Sequence, residues 1–167
     1  MKKIGIFYGS TTGNTEEVAM MIGKRLGVDM SDIHDVADTA PSAVGDYDVM
    51  LFGCSTWGDG DMQDGMHDFL DGVMALDLAG KKSAVFGCGD ETMAETFCNG
   101  VGEMYRMLKN TGVEMIGGDF DTDGYKYDHT DADVNGRIVG LLIDNMNHPD
   151  LTAGKVDDWC HSLESVM

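Results

Sequence analysis

A short segment rich in hydroxyl side chains is the first part of the sequence that could bind a ligand. It follows an apolar run, precedes a helical pattern, and consists of Ser10, Thr11, Thr12, Gly13, Asn14 and Thr15. At the carboxyl end of a strand, the backbone N–H groups and hydroxyls of such a loop converge on the positive end of the helix and can bind a phosphate. The segment lacks both the Lys of a nucleoside triphosphate loop and the Gly-x-Gly-x-x-Gly fingerprint of dinucleotide sites. It therefore predicts a site for a terminal monophosphate, with a plain helix N-cap as the alternative.

Two later segments could hold the flat part of such a ligand, because each follows another apolar run. The second segment contains Ser55, Thr56, Trp57, Gly58, Asp59 and Gly60, and the third contains Cys88, Gly89, Asp90, Met93, Phe97 and Cys98. A Trp between polar and glycine residues is more exposed than a core Trp, so Trp57 favours stacking on a flat ring; a Trp in the core or facing a partner is the alternative. A phosphate anchor, a stacking side chain and bare backbone together describe a site for riboflavin monophosphate (FMN).

Apolar runs and helical patterns alternate along the chain, which is typical of a parallel sheet with crossover helices. The sequence predicts strands at residues 3–8, 33–36, 47–53 and 82–87, and a last strand that begins at 113–116 and resumes at 138–143. It predicts helices at 16–26, 66–74 and 101–108, and a closing helix with Thr152 as its N-cap. Because parallel strands end at one edge of the sheet, the three ligand segments should meet there.

The last strand is interrupted by residues 119–137, which are too many for an ordinary connection in a compact domain. This stretch contains six Asp together with Tyr125 and Tyr127. Its length suggests a functional segment or a surface excursion, and the alternative is a solvated acidic loop packed by its two tyrosines.

The net charge excludes several classes of partner. The chain has 167 residues, enough for one domain, and 30 Asp and Glu against 11 Lys and Arg give a formal charge of −19. Such a field repels nucleic acid and anionic lipid, and it favours a basic partner protein in an association that salt weakens. No apolar run approaches the roughly 20 residues of a membrane span.

The cysteines and the first residues predict a cytoplasmic protein. All four cysteines occur singly, without a C-x-x-C pair, so we expect free thiols and no metal site. Met1, Lys2 and Lys3 lead into an apolar run that is shorter than the roughly 7 to 15 residues of a secretory signal.

Taken together, the three ligand segments resemble those of the flavodoxins, and more closely those of their long-chain branch. The resemblance covers essentially the whole chain, including Asp123, Gly124 and Tyr125 in the interruption. It implies an α/β fold with a doubly wound five-stranded parallel sheet of order 2-1-3-4-5, for which flavodoxin is itself a standard example. It also implies a single domain over residues 1–167, flanking helices, and a last strand interrupted by a long loop.

The same resemblance implies a function and roles for individual residues. The chain would be a monomeric electron carrier rather than an enzyme, holding FMN non-covalently and passing single electrons between redox enzymes through its semiquinone/hydroquinone couple. The first segment would hold the phosphate, Ser55 and Thr56 would assist along the ribityl chain, and Trp57 would cover one ring face. Backbone at Gly58 and Asp59 would face flavin N5, and backbone of the third segment, around Gly89, Asp90 and Cys98, would face the pyrimidine end.

One position departs from the family's pattern. Members of this branch place a Tyr over the second ring face, but here the stretch after Asp90 is one residue short and has no aromatic residue at that point. We expect Met93 to lie against the ring, as a flexible thioether can. The alternative is that Met93 only fills the core.

Two expectations concern the redox chemistry. A backbone carbonyl near Gly58 could accept a hydrogen bond from the semiquinone N5–H, because Gly tolerates positive φ. Acidic residues near the site would oppose the anionic hydroquinone and lower the second potential; they are Asp59, Asp61, Asp64, Asp90, Glu91 and Glu95.

Two other classes of protein are weighed against the carrier. An FMN-dependent NAD(P)H quinone or flavin reductase would need a site for a second nucleotide, and the sequence shows no cluster of basic residues for one. A phospho-receiver domain would need paired carboxylates after the first strand, where the chain has Tyr8, Gly9 and Ser10.

Overall fold

The computed structural model describes residues 2–57 and 60–167, and these residues contain eight short strands, four α-helices and four short 3-10 helices. The strands are β1 (Ile4–Gly9), β2 (Ile33–Asp35), β3 (Val49–Ser55), β4 (Lys82–Cys88), β5 (Glu114–Met115), β6 (Asp133–Val134), β7 (Arg137–Ile138) and β8 (Leu141–Ile143). The helices are α1 (Asn14–Leu26), α2 (Asp64–Val73), α3 (Asn99–Leu108) and α4 (Pro149–Glu164). Among the described residues, no helix has both the length and the apolar character needed to cross a membrane.

The main sheet is parallel and has the order β2-β1-β3-β4-β5. Strand β8 also pairs with β4, further along the same strand than β5 does. Since β3 occupies the other side of β4, β5 and β8 are two parts of one interrupted fifth strand. The predicted strand order and the predicted interruption are both confirmed.

An apolar core lies on each face of this sheet. On the face covered by α2 and α3, the ring centroid of Phe7 lies 5.4 Å from that of Phe52 and 5.7 Å from that of Phe69. On the face covered by α1 and α4, Trp159 packs edge-on against Phe86, with 6.1 Å between their ring centroids. Because side chains alternate across a strand, the central strands are buried on both faces, which is why their sequences are almost continuously apolar.

The interruption folds back over the loop between β4 and α3. Its β6 and β7 form a small antiparallel hairpin, and its Tyr127 ring stacks on Phe97 with 4.8 Å between centroids. Tyr125 is buried and meets Phe97 edge-on at 5.6 Å. The backbone N–H of Phe97 donates to the carbonyl of His129 (3.3 Å), and the N–H groups of Asp128 and His129 donate to the Ala94 carbonyl. The two tyrosines therefore pack the interruption against the protein, which agrees with the alternative of an acidic loop packed by its two tyrosines.

Predicted boundaries are wrong at two places. The last strand resumes at Leu141 rather than at residue 138, because Ile138 pairs with Asp133 in the hairpin of β6 and β7. Thr152 does not cap the closing helix. Helix α4 begins at Pro149, whose fixed φ and missing N–H suit the first position of a helix. Thr152 lies inside the first turns, where its buried hydroxyl donates to Asn145 Oδ1 (2.8 Å).

Candidate functional site

The segment after β1 forms a helix N-terminus that no side chain caps. Gly13 is the N-cap residue of α1 and has a φ of +93°, which favours glycine even though a Cβ there would meet nothing. Its N–H donates to Ser10 Oγ (3.1 Å), which closes the loop. The first N–H groups of α1 have no partner within the helix, so together with the exposed hydroxyls of Thr11 and Thr12 they offer donors to an anion.

Thr15 has a different role from its neighbours. It is fully buried, and its hydroxyl lies 2.8 Å from Ser55 Oγ, at the end of β3. This hydrogen bond joins the first ligand segment to the second.

The second segment turns sharply after β3 and leaves Trp57 at the surface. Thr56 Oγ1 accepts a hydrogen bond from the N–H of Gly100 (2.9 Å), and the Trp57 N–H donates to the Asp61 carbonyl (2.9 Å). The Gly60 N–H donates to the Trp57 carbonyl (2.8 Å). Trp57 is 38% exposed, so the prediction that it lies outside the core is confirmed.

The third segment leaves no room for side chains at its centre. A Cβ on Gly89 would lie 2.8 Å from both the backbone N and the Sγ of Cys98, so this position requires glycine. Cys98 itself has a φ of +49°, which is uncommon for a residue with a side chain. Phe97 and Cys98 are fully buried behind the Gly89 turn, whereas Met93 is 43% exposed.

A fourth segment, which the sequence analysis missed, follows β8. Asp144 is fully buried, and its Oδ1 accepts hydrogen bonds from the N–H groups of Met146 (3.1 Å) and Asn147 (2.9 Å). Its Oδ2 accepts from the N–H of Glu91 (2.9 Å) and from Asn147 Nδ2 (2.8 Å). One carboxylate thus fixes the fourth segment to the third.

Asn145 fixes the same segment to the first one. Its Nδ2 donates to Asn14 Oδ1 (3.2 Å) and to Glu17 Oε2 (3.1 Å), while its Oδ1 accepts from Thr152. The signal that could have identified the fourth segment was its position: it follows a predicted strand at the edge where the other three segments end.

The four segments line one cavity of about 230 Å³ at the carboxyl edge of the sheet. Its described walls contain no Lys or Arg, and Ser10, Gly13, Thr15, Gly60, Met93, Phe97 and Cys98 lie outside them. Gly58 and Asp59 lie outside the residues that the structure describes. The lining residues are Thr11, Thr12, Asn14, Ser55, Thr56, Trp57, Cys88, Gly89, Asp90, Asn145 and Met146.

Ionisable groups around the cavity leave it negative and without a reactive thiolate. Burial raises the pKa of the Cys88 thiol to about 12, with a smaller opposing effect from its hydrogen bond to Thr15. Burial also raises the pKa of Cys54 and Cys98, so these thiols stay neutral at pH 7. Hydrogen bonds from the hydroxyl and N–H of Thr92, and from Asn147, hold the pKa of the Asp90 carboxyl below its ordinary value, which keeps it charged at the rim.

Comparison with known proteins decides the family. The family model described as Flavodoxin matches residues 6–159. The chain belongs to the flavodoxin family. Among flavodoxin relatives, Flavodoxin 1 of Shigella flexneri is 42% identical over 166 residues, covering 98% of this chain and 93% of the relative. The flavodoxin of Haemophilus influenzae is 37% identical over 169 residues, covering 100% of this chain and 97% of the relative.

A solved flavodoxin has the same fold over nearly the whole length. The flavodoxin of Fusobacterium nucleatum, in a crystal structure bound to flavin mononucleotide, superposes with a TM-score of 0.89 at 27% identity. The superposition covers 99% of this chain and 98% of that one. The resemblance to flavodoxins and the predicted fold class are therefore confirmed.

Proposed function

We propose that this flavodoxin binds FMN non-covalently and carries single electrons between redox proteins. The observation that carries the proposal is one cavity in which the uncapped N-terminus of α1 and the half-exposed Trp57 lie together. When bound, FMN supplies a ring system that accepts and donates one electron at a time. The protein itself binds, orients and shields that ring, and its contacts set the potentials.

The phosphate end is assigned to the first segment. Its residues offer hydroxyls and backbone N–H groups at the positive end of α1. No cationic side chain stands among the described cavity walls, so neutral donors hold the phosphate charge. The proposed contacts are Ser10, Thr11, Thr12, Gly13, Asn14 and Thr15, with Ser55 and Thr56 beside them.

The ring end is assigned to the second and third segments. Trp57 would stack on one face, and the Gly89 turn brings backbone close to the cavity without a side chain. Cys88 and Asp90 line the same wall, while Phe97 and Cys98 support it from behind. Met93, Gly58, Asp59 and Gly60 stay predicted contacts at the ring.

The size of the cavity suits FMN better than a dinucleotide. The enclosed volume of about 230 Å³ is small for an enclosed ligand site, which is ordinarily about 300 Å³ or more. We infer that the phosphate and ribityl chain lie inside and that one edge of the ring stays open to solvent. An open edge suits electron transfer to a partner, because the donor and acceptor can approach closely.

The acidic surface fits transient partners with a basic face. The net charge of −19 would speed their encounter and make association sensitive to salt. We propose that the carrier is a cytoplasmic monomer and acts as an electron-transfer protein rather than as an enzyme. An FMN-dependent NAD(P)H reductase is the second candidate.

The binding experiment compares FMN with riboflavin, which lacks the phosphate. Addition of the apoprotein should quench the fluorescence of both flavins, with much tighter binding of FMN. Thr11→Ala should weaken FMN about tenfold to a hundredfold, the value of a hydrogen bond to a charged group, and leave riboflavin unchanged. Ser42→Ala is the matched control, because Ser42 is exposed on the connection between β2 and β3 and does not line the cavity. Equal binding of the two flavins by the unaltered chain would refute the phosphate site.

The redox experiment separates the carrier from the reductase. Anaerobic titration of the FMN-loaded protein should show two well-separated one-electron potentials. Steady oxidation of NADPH by the purified protein alone would favour the reductase instead.

A further inference from the structure

We propose that the solvent-facing side of α2 carries a binding site for a divalent transition-metal ion, with Zn²⁺ as the ion that its ligands fit best. The site consists of His67, Asp68 and Asp71. One nitrogen or oxygen atom from each of these side chains lies within 4.8 Å of the other two. Among the residues that the structure describes, no other group of three such side chains is this close. The site contains no cysteine, so it differs in kind from the metal sites that the sequence analysis considered.

The spacing of His67 and Asp71 suits a pair of ligands to one ion. Residues four positions apart lie on the same face of a helix, one turn from each other. His67 Nδ1 lies 3.4 Å from Asp71 Oδ2, which is longer than an ordinary hydrogen bond. Two ligands of a tetrahedral Zn²⁺, each about 2.1 Å from the ion, are about 3.4 Å apart. The ion therefore fits between these two atoms, Asp68 offers a third oxygen, and water completes the coordination.

Glu103 of α3 is placed to orient the imidazole for this ion. Its Oε1 lies 3.7 Å from His67 Nε2, the second ring nitrogen. A histidine that binds a metal through one nitrogen commonly directs the other nitrogen at a carboxylate, which fixes the orientation of the ring. His67 thus has a carboxylate near each of its nitrogens, Asp71 on its own helix and Glu103 on the neighbouring one. Through His67, the bound ion would strengthen the contact between α2 and α3.

The chemistry of the ligands distinguishes among the available ions. Mg²⁺ and Ca²⁺ prefer oxygen ligands, whereas an imidazole combined with carboxylates suits Zn²⁺ and its neighbours. Two aspartates balance the charge of a divalent ion, and the net charge of −19 raises the concentration of cations near the surface. The side chains of His67 and Asp71 are 44% and 60% exposed, so an ion reaches them directly from solvent.

The direct test titrates Zn²⁺ into the purified, untagged protein by isothermal titration calorimetry, which should find one ion per chain. His67→Ala and Asp71→Asn should each weaken binding at least about tenfold. The matched controls on α4, His161→Ala and Asp158→Asn, should leave the affinity unchanged. His161 also has a carboxylate nearby, Glu164 Oε2 at 3.9 Å, but it belongs to no group of three within the described part of the chain. Unchanged affinity in His67→Ala would overturn the proposal.

Competition with Mg²⁺ separates a specific site from general attraction to an acidic surface. A large excess of Mg²⁺ should leave bound Zn²⁺ in place, and displacement of Zn²⁺ by Mg²⁺ would overturn the proposal. Glu103→Gln should weaken Zn²⁺ about tenfold, and an equal affinity would refute the orienting role of Glu103.

Thermal unfolding gives a second readout and checks the fold of the variants. Because His67 is partly exposed, His67→Ala without metal should unfold at nearly the same temperature as the parent. Zn²⁺ should raise the Tm of the parent by binding only the folded chain, and it should not raise that of His67→Ala. An equal rise in both proteins would place the bound ion elsewhere and refute the site.

Discussion

Replacement of Asp144 by Asn tests whether one buried carboxylate organises the ring end of the site. The Asn can keep the two hydrogen bonds from the N–H groups of Met146 and Asn147, because one carbonyl oxygen remains. Its NH₂ group would then face the N–H of Glu91 and the Asn147 amide, which are both donors. The variant loses two hydrogen bonds to a charged group, each of which contributes about 1.5–3 kcal/mol to stability. Water at the exposed loops can replace part of this contribution. We expect the free energy of unfolding of the apoprotein to fall by about 2–4 kcal/mol.

The assay is urea unfolding of the apoprotein, followed by flavin titration of the folded variant. Asp158→Asn, exposed on α4, removes the same charge without these contacts and should change the unfolding free energy by less than about 0.5 kcal/mol. Because Asp144 joins the third and fourth segments, its variant should bind both FMN and riboflavin more weakly. A loss of under about 1 kcal/mol with unaltered flavin binding would refute the reasoning.

Two further predictions concern stability. Hydrogen bonds from the N–H of Lys126 and from His148 hold the pKa of the Glu91 carboxyl below its ordinary value of 4.5. These bonds therefore stabilise the fold fully above pH 4.5, and their contribution is lost as the pH falls through the lowered pKa. In urea titrations, the free energy of unfolding of Glu91→Gln should therefore fall less between pH 7 and pH 3.5 than that of the parent. An equal fall in both proteins would contradict this prediction. Gly154 lies on α4 with open space around it, so Gly154→Ala should raise the free energy of unfolding by about 0.5–1 kcal/mol. A Cβ on Gly102 would lie 2.2 Å from a carbonyl oxygen of the interruption, so Gly102→Ala should lower that free energy by about 1–3 kcal/mol. Thermal unfolding measures both changes. The reverse order of their melting temperatures would contradict the packing.

Features with a strong local pattern could be predicted from the sequence. The central strands are buried on both faces, so each one is a continuous apolar run that stands out from its surroundings. The interrupted fifth strand was also predictable, because both of its parts are apolar and the residues between them are not. The meeting of the ligand segments then follows from parallel strands alone.

Features set by contacts distant in the sequence could not be predicted. An Asp after an apolar strand is normally at the surface, and the burial of Asp144 depends in part on the N–H of Glu91, which lies 53 residues away in the sequence. The fourth segment has no glycine or hydroxyl pattern, so Met146 gave no signal of its own. Likewise, the stacking of Phe97 on Tyr127 depends on how the interruption folds back.

The distribution of charge around the cavity affects both the potential of a bound ring and the approach of a partner protein. Neutral donors of the first segment would hold the phosphate, while Asp90 stays ionised at the rim and no cation stands among the described walls. Negative charge added to a ring in this cavity would therefore be opposed by the bound phosphate, by Asp90 and by the overall charge of −19. Since 59 mV corresponds to about 1.4 kcal/mol for one electron, modest repulsion is enough to lower the second potential substantially. The same negative field would attract a basic partner to the proposed open edge of the ring, so one distribution of charge would serve both the potential and the encounter.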